Sequence, residues 1–116
     1  MIRTELSLRL PNNAGALAGI CRLLADEHVH VLAMSLGATG ELRLVVDNHV
    51  HGAGVLREHR HIVAEHQVLV VEGPATPSAL QLIADAGINL NYSYGGPLTV
   101  VLGVDDVMRA SAASGL

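Results

Sequence analysis

The 116-residue sequence has no tryptophan and no phenylalanine, and its only aromatic side chains are Tyr92 and Tyr94. Any core must therefore be aliphatic, and the ring platforms on which single-stranded nucleic acid stacks are missing. Lysine is absent as well. All seven basic side chains are arginines, scattered along the chain against eleven acids. No basic stripe exists to follow a phosphate backbone, so nucleic acid is not an expected partner. Cys21 is the single cysteine, which excludes an internal disulfide or an all-cysteine zinc site within one chain. Its place on the apolar face of a helical pattern reads as a buried, inert thiol. No apolar run approaches the roughly 20 residues that span a bilayer. Met1-Ile2-Arg3-Thr4-Glu5 also lacks the apolar stretch of a secretory signal. The expectation is a cytoplasmic protein without a membrane partner.

Half of the residues are hydrophobic and the mean hydropathy is +0.40, enough to bury a core in one ordinary domain or two very small ones. In Glu5-Leu6-Ser7-Leu8-Arg9-Leu10 the three leucines share one face of an extended strand. Leu17, Ile20, Cys21 and Leu24 then recur at helical spacing. Between them lies Pro11-Asn12-Asn13-Ala14-Gly15-Ala16-Leu17. Pro11 has no N–H to extend a ladder, either asparagine can cap the helix, and Gly15 removes bulk at the bend. Unpaired N–H groups at such a helix start suit a carboxylate, although a plain capped turn has the same local pattern.

Further along, alternation predicts strands over 29–36 and 41–47, joined by the turn Gly37-Ala38-Thr39-Gly40, then a short helix near 50–59. An extended run begins at His61, with a polar interruption at Glu65-His66-Gln67, and reaches Glu72. The order β-α-β-β-α-β is the split βαβ, ferredoxin-like pattern. It then restarts: a strand over 67–72, a helix over 77–86 capped by Thr76, strands over 88–94 and 98–104, and a helix over 105–113. Val29-His30-Val31 aligns with Ile88-Asn89-Leu90 at an offset of 59 residues, and Val46-Asp47 falls close to Val104-Asp105. The second copy lacks about one helical turn and has no residues left for a fourth strand. Its open edge needs a partner. The domains expected are residues 1–66 and a shortened 67–116.

Leu10-Pro11-Asn12-Asn13-Ala14-Gly15-Ala16-Leu17 resembles the Pro-Asn/Asp-x-x-Gly-x-Leu loop of the ACT domain family, in its tandem, amino-acid-binding form. Leu44-Val45-Val46-Asp47-Asn48 and Asp85-Ala86-Gly87-Ile88-Asn89-Leu90 add to the resemblance, which covers about residues 4–114. It implies an α+β fold, a ferredoxin-like βαββαβ sandwich in two tandem ACT-like units with the second truncated. It also implies a regulatory protein that binds a small effector, usually an amino acid, at a domain or dimer interface. Carried over by position, the ligand-binding residues are Asn12, Asn13, Ala14, Gly15, Ala16 and Leu17, with backbone N–H groups on the ligand carboxylate and an asparagine oxygen on its ammonium. Gly73-Pro74-Ala75-Thr76-Pro77-Ser78 departs from the motif. The family implies a homodimer, and an enzyme under its control as a further partner.

Seven histidines (His28, His30, His49, His51, His59, His61 and His66) invite a metal reading. No Cys-His or His-Glu-x-x-His spacing supports it, so no metal site and no cofactor are expected. Protonating all seven would reverse the sign of the net charge of −4, which makes a pH-sensitive assembly an expectation. Ser35, Ser78 and Ser93 stand in no nucleophile context, and Asp105-Asp106 reads as a helix cap. The chain is expected not to be an enzyme. Two alternatives to the effector-binding regulator stay open: a homodimeric assembly module without a ligand, and a histidine-dependent metal-binding protein.

Overall fold

The computed structural model describes all 116 residues. Six strands and four helices follow in the order β1 (Ile2–Arg9), α1 (Ala16–Asp26), β2 (Val31–Leu36), β3 (Glu41–Val46), α2 (His49–Glu58), β4 (Ala64–Glu72), α3 (Thr76–Asp85), β5 (Leu90–Gly95), β6 (Thr99–Val104) and α4 (Val107–Ser114), with a 3-10 turn at Gly73–Ala75 before α3. No helix is long and apolar enough to cross a membrane. The chain divides into two compact units, Thr4–His66, and Gln67–Leu116 together with Met1–Arg3.

In the first unit β3 lies between β2 and β1 and runs antiparallel to both. Leu6 stands opposite Leu44, and Leu8 opposite Leu42. Directly opposed residues share a face, so these four leucines form one apolar surface. Ile20 and Leu24 of α1 and Ala53 and Leu56 of α2 close over it. The alternate face carries Glu5, fully buried, with a carboxylate that accepts from Arg43 Nη1 at 3.3 Å.

In the second unit β6 pairs antiparallel with β4 and β5. Leu69, Val71, Ala79, Ile83, Leu102 and Ala110 make its core, with Ile2 packed against them. The edge that the sequence left open for a partner is taken by the chain's own first residues. Val70 N–H donates to the Met1 carbonyl at 2.8 Å, and the Met1 ammonium donates to the Val70 carbonyl at 3.0 Å. β4 passes unbroken through Glu65-His66-Gln67, where a polar interruption was expected; the three are exposed yet extended. His61–Val63 stays outside the strand, with Ile62 92% exposed.

All four helices end the same way. A residue with positive φ follows each one: His28 (58°), Arg60 (69°), Gly87 (73°) and Gly115 (74°). The next N–H reaches back to the last turn, as in Val29 to Leu24 at 2.9 Å and Ile88 to Ile83 at 3.2 Å. Such left-handed caps satisfy carbonyls that the helix end would leave unpaired. At the helix starts, Asn48 accepts from His51 N–H in α2, and Asp106 from Arg109 N–H in α4. Thr76 instead opens α3, and its hydroxyl donates back to the Glu72 carbonyl at 3.3 Å. Cys21 is only half-buried, so the fully buried thiol read from the pattern is not what the helix presents.

Candidate functional site

The candidate loop begins where β1 ends, and β1 ends because it is tied to the β2–β3 turn. Leu10 N–H donates to the Gly40 carbonyl at 2.7 Å, and Arg9 Nη1 to the Thr39 carbonyl at 2.9 Å. Gly40 has φ +88°, and a Cβ there would lie 2.5 Å from the Leu10 carbonyl oxygen. Only glycine permits that approach. With Leu10 pinned, Pro11 to Gly15 must stand away from the turn before α1 starts at Ala16.

Between the loop and the turn lies a cleft of about 430 Å³, lined by Leu10, Pro11, Asn12, Asn13, Ala14, Ala16, Leu17, Leu36, Gly37, Ala38, Thr39 and Gly40. Five of the six candidate residues, Asn12, Asn13, Ala14, Ala16 and Leu17, line it. Gly15 does not; with Asn13 and Ala16 it borders a neighbouring cleft of about 460 Å³, beside Gly19, Arg22, Asp26 and His61. The loop is thus a partition between two hollows. Both volumes lie within the roughly 300–1,000 Å³ usual for small-molecule sites.

Neither asparagine caps α1. The N-cap is Gly15, at φ −97° and ψ −4°, and no side chain accepts from the first turn. Asn13 N–H donates to the Pro11 carbonyl at 2.9 Å, Ala16 N–H makes a long contact to the Asn13 carbonyl at 3.4 Å, and the next bond is Gly19 to Gly15 at 2.9 Å. The N–H groups of Ala14, Gly15, Leu17 and Ala18 have no acceptor within the chain. Four unmet donors and the positive end of the helix dipole make a place that favours an anion. Sequence reasoning named this loop but missed its second wall, since Leu36 to Gly40 reads locally as an ordinary hairpin turn.

The histidines do not converge. His30 Nδ1 lies 2.9 Å from Asp47, His51 Nε2 lies 3.4 Å from Glu27, His59 Nδ1 lies 2.9 Å from the Val55 carbonyl, and His66 Nε2 lies 3.2 Å from the Ser7 hydroxyl. No group of three or more His, Cys, Asp or Glu side chains is placed to hold an ion. Asp47 has a clear task. It accepts from His30 N–H and from the imidazole, and these bonds hold its carboxyl below the usual range. The second unit keeps the backbone part of the link, Asp105 N–H to the Asn89 carbonyl at 3.4 Å against Asp47 N–H to the His30 carbonyl at 3.0 Å, while the Asp105 carboxylate accepts from Asn91 Nδ2 at 2.7 Å.

No protein-family model and no curated protein matches the sequence. Solved structures do match the fold. Protein BT0572 from Bacteroides thetaiotaomicron superposes with a TM-score of 0.83 at 20% identity, over 97% of this chain and 86% of that one. The ligand-free regulatory subunit of aspartate kinase from Thermus thermophilus gives 0.70 at 16% identity, over 97% and 88%. The α and β subunits of an aspartokinase give 0.65 at 15% identity, over 100% and 97%. Regulatory chains of this kind are ACT-domain proteins. The fold here is the tandem ACT fold. At such identities the likeness speaks for architecture, and function has to be argued from the site.

Proposed function

We propose that the chain is a regulatory, non-catalytic module that binds a small amino acid at the loop Asn12 to Leu17. In this reading the ligand sits in the cleft against the turn Gly37 to Gly40. Its carboxylate takes the free N–H groups at the start of α1, and its ammonium meets an amide oxygen of Asn12 or Asn13. One observation carries the reading: of the four helix-start N–H groups without acceptors, those of Ala14 and Leu17 belong to residues that line a cleft of ligand size. The architectural likeness to aspartate kinase regulatory subunits supports it. The module would act as a cytoplasmic homodimer on a separate enzyme. Thermal shifts against the twenty amino acids test this, because a ligand that binds only the folded state raises its melting point by mass action. Ala14→Glu should then abolish the response. The new carboxylate competes for the same donors, yet suits the positive helix end, so the unliganded melting point should not fall. A response that survives Ala14→Glu places the ligand elsewhere.

A second reading has its own observation. Leu32, Met34 and Leu36 on the edge strand β2 are 41%, 45% and 48% exposed, an apolar row suited to burial against another copy. An intact dimer that no amino acid stabilises at millimolar concentration would favour assembly alone.

A further inference from the structure

We infer that the effector carries an uncharged, aliphatic side chain. The inference rests on the cleft being an effector site, and deepens that reading through the chemistry of its walls. Twelve residues line the cleft, and none is Asp, Glu, His or Arg. Its polar side chains are Asn12, Asn13 and Thr39, all neutral, and its carbon surface comes from Leu10, Leu17, Leu36 and Ala38. Leu36 lines the cleft and is 48% exposed, an apolar surface that a ligand can cover. Arg9 reaches the turn by donating to the Thr39 carbonyl, yet it is not among the lining residues. The contrast lies across the loop, where Arg22, Asp26 and His61 border the neighbouring cleft.

A zwitterionic backbone can be met at the loop by N–H groups and amide oxygens. A third charge on the ligand side chain finds no opposite charge in the walls and loses hydration without compensation. An aliphatic side chain instead gains contact with each carbon it buries.

Calorimetry on the full chain with alanine, valine, leucine, lysine and glutamate tests this. Affinity should rise by about fourfold per buried methylene from alanine to leucine. Lysine and glutamate should bind on the order of a hundredfold more weakly than leucine. Ala38→Lys adds a cation to the exposed turn, and should raise the glutamate-to-leucine affinity ratio by about tenfold. Lysine or glutamate binding as tightly as leucine overturns the inference while leaving the effector site standing. Loss of that charged-ligand binding in Arg22→Ala would assign it to the neighbouring cleft. If none of the five binds and no other amino acid shifts the melting point, the effector reading itself falls and takes this one with it.

Discussion

Single residues here differ in what they can be exchanged for, and geometry says which. Gly40 combines φ +88° with a Cβ position 2.5 Å from the Leu10 carbonyl oxygen. Gly40→Ala must therefore displace the turn from β1. A cost of about 2 kcal/mol or more follows from the left-handed backbone and the overlap together. Urea denaturation should register that loss, and effector affinity should fall with it, because the turn is one wall of the cleft. Asp47 makes a prediction of a different kind. Its carboxyl is held below the ordinary value by the His30 N–H and imidazole. A depressed folded pKa contributes stability above the unfolded value of about 3.9, and that contribution is lost as pH falls through the folded value. Asp47→Asn should lower stability at pH 6 and leave it little changed near pH 2. Denaturation curves at the two pH values check this; an equal loss at both would mean that the proton linkage is not what the pair supplies.

At the scale of elements, the helix ends show what the sequence does and does not disclose. Gly87 closes α3 at φ 73°, and glycine at that point is the familiar stop signal. The repeat offset of 59 places His28 at the same point after α1, and it takes φ 58° without being glycine. His28→Gly should therefore stabilise the first unit by about 0.5–1 kcal/mol, the left-handed strain removed less the entropy glycine adds to the unfolded chain. Gly87→Ala has open space for its Cβ and should cost about 1 kcal/mol from backbone strain alone. Thermal melts of both variants give the comparison, and equal behaviour would show that the cap is not where the strain resides. Alternation and helical spacing made ten of these elements readable because both are local periodicities. The course of β4 through Glu65-His66-Gln67 was not readable, since tertiary context overrides the low strand preference of three exposed polar side chains. The role of Met1–Arg3 beside Val70 was hidden for a related reason: the hydrogen bond joins residues 69 positions apart. The candidate loop could be seen because proline, asparagine and glycine each mark a backbone demand; the glycine cap in place of an asparagine cap could not.

Taken as a whole chain, the protein repeats its architecture but not its loop. After β1, six residues from Leu10 to Gly15 precede α1, and they hold the cleft open against the turn. After β4, Gly73 N–H donates directly to the Leu98 carbonyl at 3.2 Å. A Cβ on Gly73 would lie 1.8 Å from the Pro97 carbonyl oxygen, so the backbone rests against the β5–β6 turn. The 3-10 turn Gly73–Ala75 then enters α3 at once, and Thr76 closes it with bonds to the Gly73 and Glu72 carbonyls. Pro74 and Pro77 remove two N–H groups where a ligand carboxylate would need donors. The second unit thus has neither the standing loop nor the full set of donors that define the first. Calorimetry with a stabilising amino acid should return one ligand per chain. A second ligand per chain that Gly73→Ala alters, by wedging that turn from Pro97, would mean that the closed turn opens on binding; a second ligand lost in Arg22→Ala would instead lie in the neighbouring cleft of the first unit.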